Sequence, residues 1–204
     1  MPRLFPIFLK LNNRRVLVVG AGKVGESKIA GLLDSGARIK VVALEAREAV
    51  VRWARTGLIE LEERAFLTDD LQDVYLAVIA TTSPTLNDLV FSEAQKRGVL
   101  CNVVDVPEQC DFFYPAVVKR GDLQIAISTS GQSPSLARRL RQELEKQFGL
   151  AYADWVAELG TTRQQVLKSD LGPEQKRELL TSLASRKAFQ AMIAGQATTE
   201  GDAP

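Results

Sequence analysis

The sequence predicts an α/β fold in which a doubly wound parallel sheet is followed by a β-rich segment and a helical C-terminal region. Three observations predict it. The apolar run Val16, Leu17, Val18, Val19 breaks into Gly20, Gly22 and Gly25, and resumes with Val24, Ile29, Leu32 and Leu33 at helical spacing. From there to about residue 104, short β-rich runs alternate with helical ones, as in a parallel sheet covered on both faces. After residue 105 the alternation stops: two short β-rich runs follow, then helical pattern alone.

The elements follow in order. Leu4, Phe5, Ile7, Phe8, Leu9 and Leu11 read as an extended lead-in to the sheet that supplies apolar contacts, and Asn12-Asn13 as a turn. Residues 15–19 are the first strand, and the helix after the glycines runs to about Ser35, with Gly36 where a terminating glycine belongs. Residues 38–43 form a second strand, and Ala49, Val50, Trp53 and Ala54 mark a helix over 46–56 closed by Gly57. Residues 59–64 alternate apolar and charged, as an edge strand does. Residues 75–80 are continuously apolar, so that strand is buried on both faces. Pro84 opens a helix carrying Leu86, Leu89, Val90 and Ala94 that Gly98 stops, and 100–104 is the fifth strand. The expected order is 3-2-1-4-5, with a ligand crevice beyond the strand C-termini.

Residues 116–119 and 123–129 then suggest a hairpin around Arg120-Gly121-Asp122. Ser133 as N-cap and Pro134 in the first turn open a helix to about Phe148, with Leu136, Leu140, Leu144 and Phe148 on one face. Two or three helical segments follow, punctuated by Gly160 and Gly172-Pro173, and from about Gln196 the chain is small and polar enough to be disordered. The expected domains are 1–112, a dinucleotide-binding Rossmann domain; 113–149, a β-rich segment with the helix that follows it; and 150–204, a helical domain with a disordered tail.

The 204 residues carry a net charge of +1, two cysteines and no histidine. A near-neutral balance gives no bias toward nucleic acid or a membrane surface, so any basic site must be local. No apolar run approaches a membrane span and the start lacks a signal peptide's apolar core, so a cytoplasmic protein is expected. Cys101 and Cys110 lack metal-ligand spacing and read as reduced structural thiols. The absence of histidine excludes the Ser-His-Asp triad, the Cys-His dyad and every histidine-containing zinc site, and no metal-ligand set is expected.

The glycines in their strand-to-helix setting form a dinucleotide-binding fingerprint. Gly20 permits the turn, Gly22 lets backbone approach a pyrophosphate, Gly25 lets the helix pack on the sheet, and Lys23 and Val24 complete the loop. Beyond the second strand lie Ala43 and Glu45; an acid about twenty residues past the fingerprint suits a ribose hydroxyl and hence NAD over NADP, although Glu45 could instead cap the next helix. Thr81 and Thr82 after the fourth strand, and Asn102, Val104 and Asp105 at the fifth, converge where the nicotinamide would lie. Asp105 reads equally as a base or as a turn residue before Val106-Pro107, and desolvation beside an apolar strand is expected of it in the first case. The loop of Ser128, Thr129, Ser130, Gly131 and Ser133 precedes a helix start, a natural anion site, and Arg138, Arg139 and Arg141 follow. Those arginines suit a substrate with several carboxylates or phosphates; the alternative, which charge runs usually are, is a solvated face paired with Glu143 and Glu145.

Taken together, Phe5-Pro6-Ile7-Phe8-Leu9, the fingerprint, Ala80-Thr81-Thr82, Cys101-Asn102-Val103-Val104-Asp105, Phe113-Tyr114-Pro115-Ala116 and the stretch from Ser130 through Pro134 to Arg138 resemble the precorrin-2 dehydrogenase and sirohydrochlorin ferrochelatase family of sirohaem synthesis. The resemblance spans most of the chain up to Phe148. It implies NAD as oxidant, a tetrapyrrole substrate bearing acetate and propionate side chains, a homodimer interlocked after the Rossmann sheet, and Asp105 as the family's essential aspartate. It also implies Fe²⁺ as a substrate if the chain is a chelatase, and a separate methyltransferase upstream, because the chain is too short for the methyltransferase domain of longer relatives. Some relatives carry a regulatory phosphoserine where Thr129 stands. The competing readings are a dehydrogenase without chelatase activity, an NAD-sensing regulatory module, and an unrelated NAD(P) oxidoreductase.

Overall fold

A computed structural model describes residues 4–200, with side chains through residue 194. The chain forms two compact units that divide after Tyr114. In the first, β1 (Arg15–Ala21), β2 (Arg38–Ala46), β3 (Glu60–Glu63), β4 (Leu76–Ile79) and β5 (Leu100–Val103) form one parallel sheet in the order β3-β2-β1-β4-β5, as the alternation predicts. Side chains alternate across a strand, so the unbroken apolar run of β1 serves both faces. Val16 and Val18 pack with Ile29 and Leu32 of α1 (Lys23–Leu32) and Val50 of α2 (Glu48–Arg55). Leu17 and Val19 pack on the other side with Val90 and Ala94 of α3 (Pro84–Lys96). All four β1 residues are essentially inaccessible to water.

Two expectations for this unit change. Residues 4–10 join no strand, and Phe5, Ile7 and Phe8 are 84%, 60% and 69% exposed; Leu11 is the first residue of the segment to be buried. β2 runs three residues past the expected end because its ladder resumes beyond a register shift, pairing Ala46 with Ala21. Ala43 and Glu45 therefore lie in the strand rather than beyond it.

In the second unit, β6 (Ala116–Arg120) and β7 (Leu123–Ile127) form an antiparallel hairpin in which Arg120 pairs with Leu123 and Gly121 turns the corner at φ +56°. Pro134 opens α4 (Pro134–Gln147), where the Ser133 hydroxyl accepts the Leu136 N–H at 3.2 Å. Arg120 donates from Nε to the Phe148 carbonyl (2.8 Å) and from Nη2 to that of Glu145 (3.1 Å), tying β6 to the end of α4. Three helices follow: α5 (Ala151–Lys168), α6 (Pro173–Leu183) and α7 (Arg186–Glu200). Gly160 does not punctuate them. It lies inside α5, exposed, since one glycine costs about 1 kcal/mol against alanine and the surrounding helix-forming residues absorb that. The break does fall at Gly172-Pro173. Helix α7 carries regular backbone through the residues from Gln196 that were expected to be disordered, as far as Glu200; 201–204 lie outside the described residues.

Candidate functional site

The fingerprint forms the floor of a cradle at the C-terminal ends of β1, β2, β4 and β5. Gly20 has φ +101°, and a Cβ there would stand 2.5 Å from the Ala80 carbonyl, so the β1 turn and the end of β4 approach as only glycine allows. A Cβ on Gly25 would overlap the Gly20 carbonyl, so α1 packs against the turn without a side chain between them. At Gly22 nothing lies within 4 Å of the position a Cβ would take, and Lys23 and Val24 beside it are exposed. That open backbone at the start of α1, where N–H groups lack intrahelical partners, fits a pyrophosphate. Glu45 is exposed at the end of β2.

Across the cradle, the ladder extends past the strands through Ala80 N–H to the Val19 carbonyl (2.8 Å) and Val104 N–H to the Ile79 carbonyl (2.9 Å). Thr81 is turned toward α3: its Oγ1 lies 2.6 Å from Asn87 Oδ1 and accepts the Ser83 N–H at 3.2 Å. Thr82 is exposed beside it. Asn102 is 6% exposed, and its Nδ2 donates to the Phe112 carbonyl at 2.8 Å, so that carboxamide holds the segment after β5 in place. Cys110 Sγ lies 3.2 Å from the Val103 carbonyl, while Cys101 is buried and its thiol is pushed up to about 12 by that burial; both cysteines are free.

Asp105 follows β5 at φ +63° and is exposed, not buried beside the apolar strand as expected of a base there. Sequence reasoning missed the cation near it. Lys28, half-buried on α1, places Nζ 3.8 Å from the centroid of the Tyr114 ring. Burial pushes its ammonium downward, and Asp105 and Cys110 pull the other way. The available signal was its position one helical turn after Val24, on the flank of the fingerprint.

The loop of residues 128–133 lies in the second unit and is spent largely on itself. Ser128 Oγ accepts the Ser130 N–H and Thr129 Oγ1 accepts the Ser133 N–H, both at 3.1 Å, and Ser130 and Gly131 are left-handed in succession. Of the arginines on α4, Arg139 pairs with Glu143 and Arg141 with Glu145, which is the solvated-face reading. Arg138 is exposed and has no such partner among the described residues. Among the described residues no cluster of three metal-ligating side chains exists, and no helix is long and apolar enough to cross a membrane.

Residues 7–116 match the family described as "Putative NAD(P)-binding", and residues 120–147 match the one described as "Sirohaem biosynthesis protein central". The chain belongs to the family described as "Putative NAD(P)-binding". Siroheme synthase 1 of Serratia proteamaculans is 37% identical over 195 residues, covering 96% of this chain and 41% of the relative. Siroheme synthase of Methylococcus capsulatus is 34% identical, covering 94% and 40%. The chain thus spans about two-fifths of the length of these curated relatives. A solved structure, SirC, precorrin-2 dehydrogenase, superposes with a TM-score of 0.82 at 27% identity over 97% of this chain and 98% of that one.

Proposed function

We propose that this chain oxidises precorrin-2 to sirohydrochlorin with NAD. The observation that carries the reading is the likeness to SirC over nearly the full length of both chains, combined with an open glycine cradle of the right shape for the oxidant. NAD, when bound, accepts a hydride from a ring carbon of the substrate. The chain's own residues do the rest. Gly20, Gly22, Lys23, Val24 and Gly25 seat the pyrophosphate, Ala43 and Glu45 flank the ribose, and Thr81, Thr82, Asn102 and Val104 border the nicotinamide end. Asp105 accepts the proton that leaves with the hydride, so that two electrons and one proton pass to NAD as hydride and a second proton passes to the base. Arg138, without an ion-pair partner on its own helix, meets a substrate carboxylate, supported by Ser128, Thr129, Ser130, Gly131 and Ser133 at the start of α4.

The same carboxylate of Asp105 is the group available to take pyrrolic protons when Fe²⁺ is the second substrate. We further propose a homodimer, in keeping with a hairpin whose outer edges carry no third strand among the described residues. Precorrin-2 is the product of methyltransferase chemistry, and we propose a cytoplasmic reaction, in keeping with two free cysteines. Anaerobic incubation with precorrin-2 and NAD, followed by Fe²⁺, tests the reading through the tetrapyrrole absorption spectrum. The sirohydrochlorin spectrum is expected after the first addition. NAD binding without any spectral change would instead favour a sensing module, and a further change on adding Fe²⁺ would establish chelation.

A further inference from the structure

We propose that the ion pair between Glu26 and Arg47 sets the preference of this chain for NAD over NADP, by withholding from a 2′-phosphate the arginine placed to bind it. The inference rests on the cofactor lying along the fingerprint. Ala21 pairs with Ala46, and the Arg47 N–H donates to the Ala21 carbonyl at 3.2 Å, so the end of β2 lies directly beside the glycine turn. In this fold that corner receives the adenosine ribose, where an acid bonds the 2′-hydroxyl of NAD and an arginine accommodates the 2′-phosphate of NADP.

Both residue types are present here, and the structure shows which of them is committed. Arg47 Nε donates to Glu26 Oε2 across 2.5 Å, from the residue preceding α2 to the first turn of α1. Glu45 is exposed and its side chain makes no hydrogen bond or ion pair among the described residues, so its carboxylate is available to a hydroxyl. Glu48 adds a further negative charge in the first turn of α2. A dianionic phosphate entering this corner would face three carboxylates, Glu26, Glu45 and Glu48, and one arginine already neutralised. An uncharged hydroxyl would meet no such repulsion and could donate to the Glu45 carboxylate. The pair is solvent-accessible, with side-chain exposures of 55% for Arg47 and 29% for Glu26, so it holds the arginine loosely and removing the acid releases it.

The test is the ratio of dissociation constants for NADP⁺ and NAD⁺, measured by titration calorimetry without tetrapyrrole. Wild type is expected to favour NAD⁺. Glu26→Gln should lower the NADP⁺ to NAD⁺ ratio by roughly threefold to tenfold, the scale of one exposed ion pair formed with the phosphate and one repulsion removed. Glu48→Gln, which removes the same charge without releasing Arg47, should move it by less than about twofold. Adding Arg47→Ala to Glu26→Gln should abolish the gain. An unchanged ratio in Glu26→Gln, an equal gain in Glu48→Gln, or a gain that survives loss of Arg47 would each overturn the inference while leaving the cofactor site intact. Wild type that binds neither dinucleotide would overturn the cofactor site and the inference with it.

Discussion

Asp105 leaves β5 in a left-handed conformation with an exposed carboxylate, a combination that serves a tight turn and a proton acceptor alike. Asparagine tolerates that conformation as well as aspartate does but cannot act as a base. Asp105→Asn should therefore fold and bind NAD normally while turnover of precorrin-2 falls by about a hundredfold to ten-thousandfold. Wild-type turnover in steady-state assays of that variant would reduce Asp105 to a turn residue. Arg138 is tested by comparison with its neighbour. Arg138→Ala should raise KM for the tetrapyrrole roughly tenfold or more, the scale of one charge-assisted hydrogen bond. Arg139→Ala, which breaks only an exposed pair to Glu143, should change it by less than about threefold; equal effects on KM would show that the contact is not specific to Arg138. Glycine spacing and a lone acid at a strand end are local signals, which is why the fingerprint and Asp105 could be read from sequence. Lys28 over the Tyr114 ring and Glu26 against Arg47 are pairings through space between residues 86 and 21 positions apart, and no local pattern announces them.

At the scale of elements, hydrophobic periodicity was sufficient for the five-stranded order because every sheet residue of β1 and β4 that faces the core is buried and thus apolar. It misled at the start of the chain, where Phe5, Ile7 and Phe8 look like core and are exposed. A sequence records that a residue is apolar, not whether this chain alone covers it. Gly160 misled in the opposite sense, since helix breaking is a tendency that the rest of α5 outweighs. The consequence is measurable. Gly160 is exposed and a Cβ there meets nothing within 4 Å, so Gly160→Ala should stabilise the protein by about 0.5–1 kcal/mol in denaturant unfolding. A loss of stability would mean that the glycine serves a contact not visible in this fold. Helix α1 depends on the opposite kind of glycine. Gly22→Val should leave the fold intact and remove dinucleotide binding, because a branched side chain would fill the space into which the pyrophosphate must come; undiminished NAD affinity in calorimetry would refute that placement.

For the molecule as a whole, one charge network couples the edge of the sheet to pH. Asp70, 6% exposed, receives Arg64 through both oxygens at 2.6 and 2.8 Å, the Leu67 N–H at 2.9 Å and Lys40 at 3.0 Å; Glu62 joins the same cluster. Burial alone would raise this carboxyl, but the hydrogen bonds from Arg64, Leu67 and Lys40 outweigh it and hold it well below the usual range. A depressed carboxyl contributes its stability above the unfolded value and loses it as pH falls. The melting temperature should therefore drop steeply below about pH 4, and Asp70→Asn should cost about 2–4 kcal/mol at neutral pH while flattening that acid limb. An acid limb unchanged in the variant would place the sensitivity elsewhere. The central claim concerns chemistry, and it is tested most directly by counting NADH. In an anaerobic reaction of purified protein with precorrin-2 and NAD, the account predicts one NADH formed for each sirohydrochlorin, with the same time course for both. Sirohydrochlorin appearing without NADH, or NAD bound with neither product formed, would contradict it.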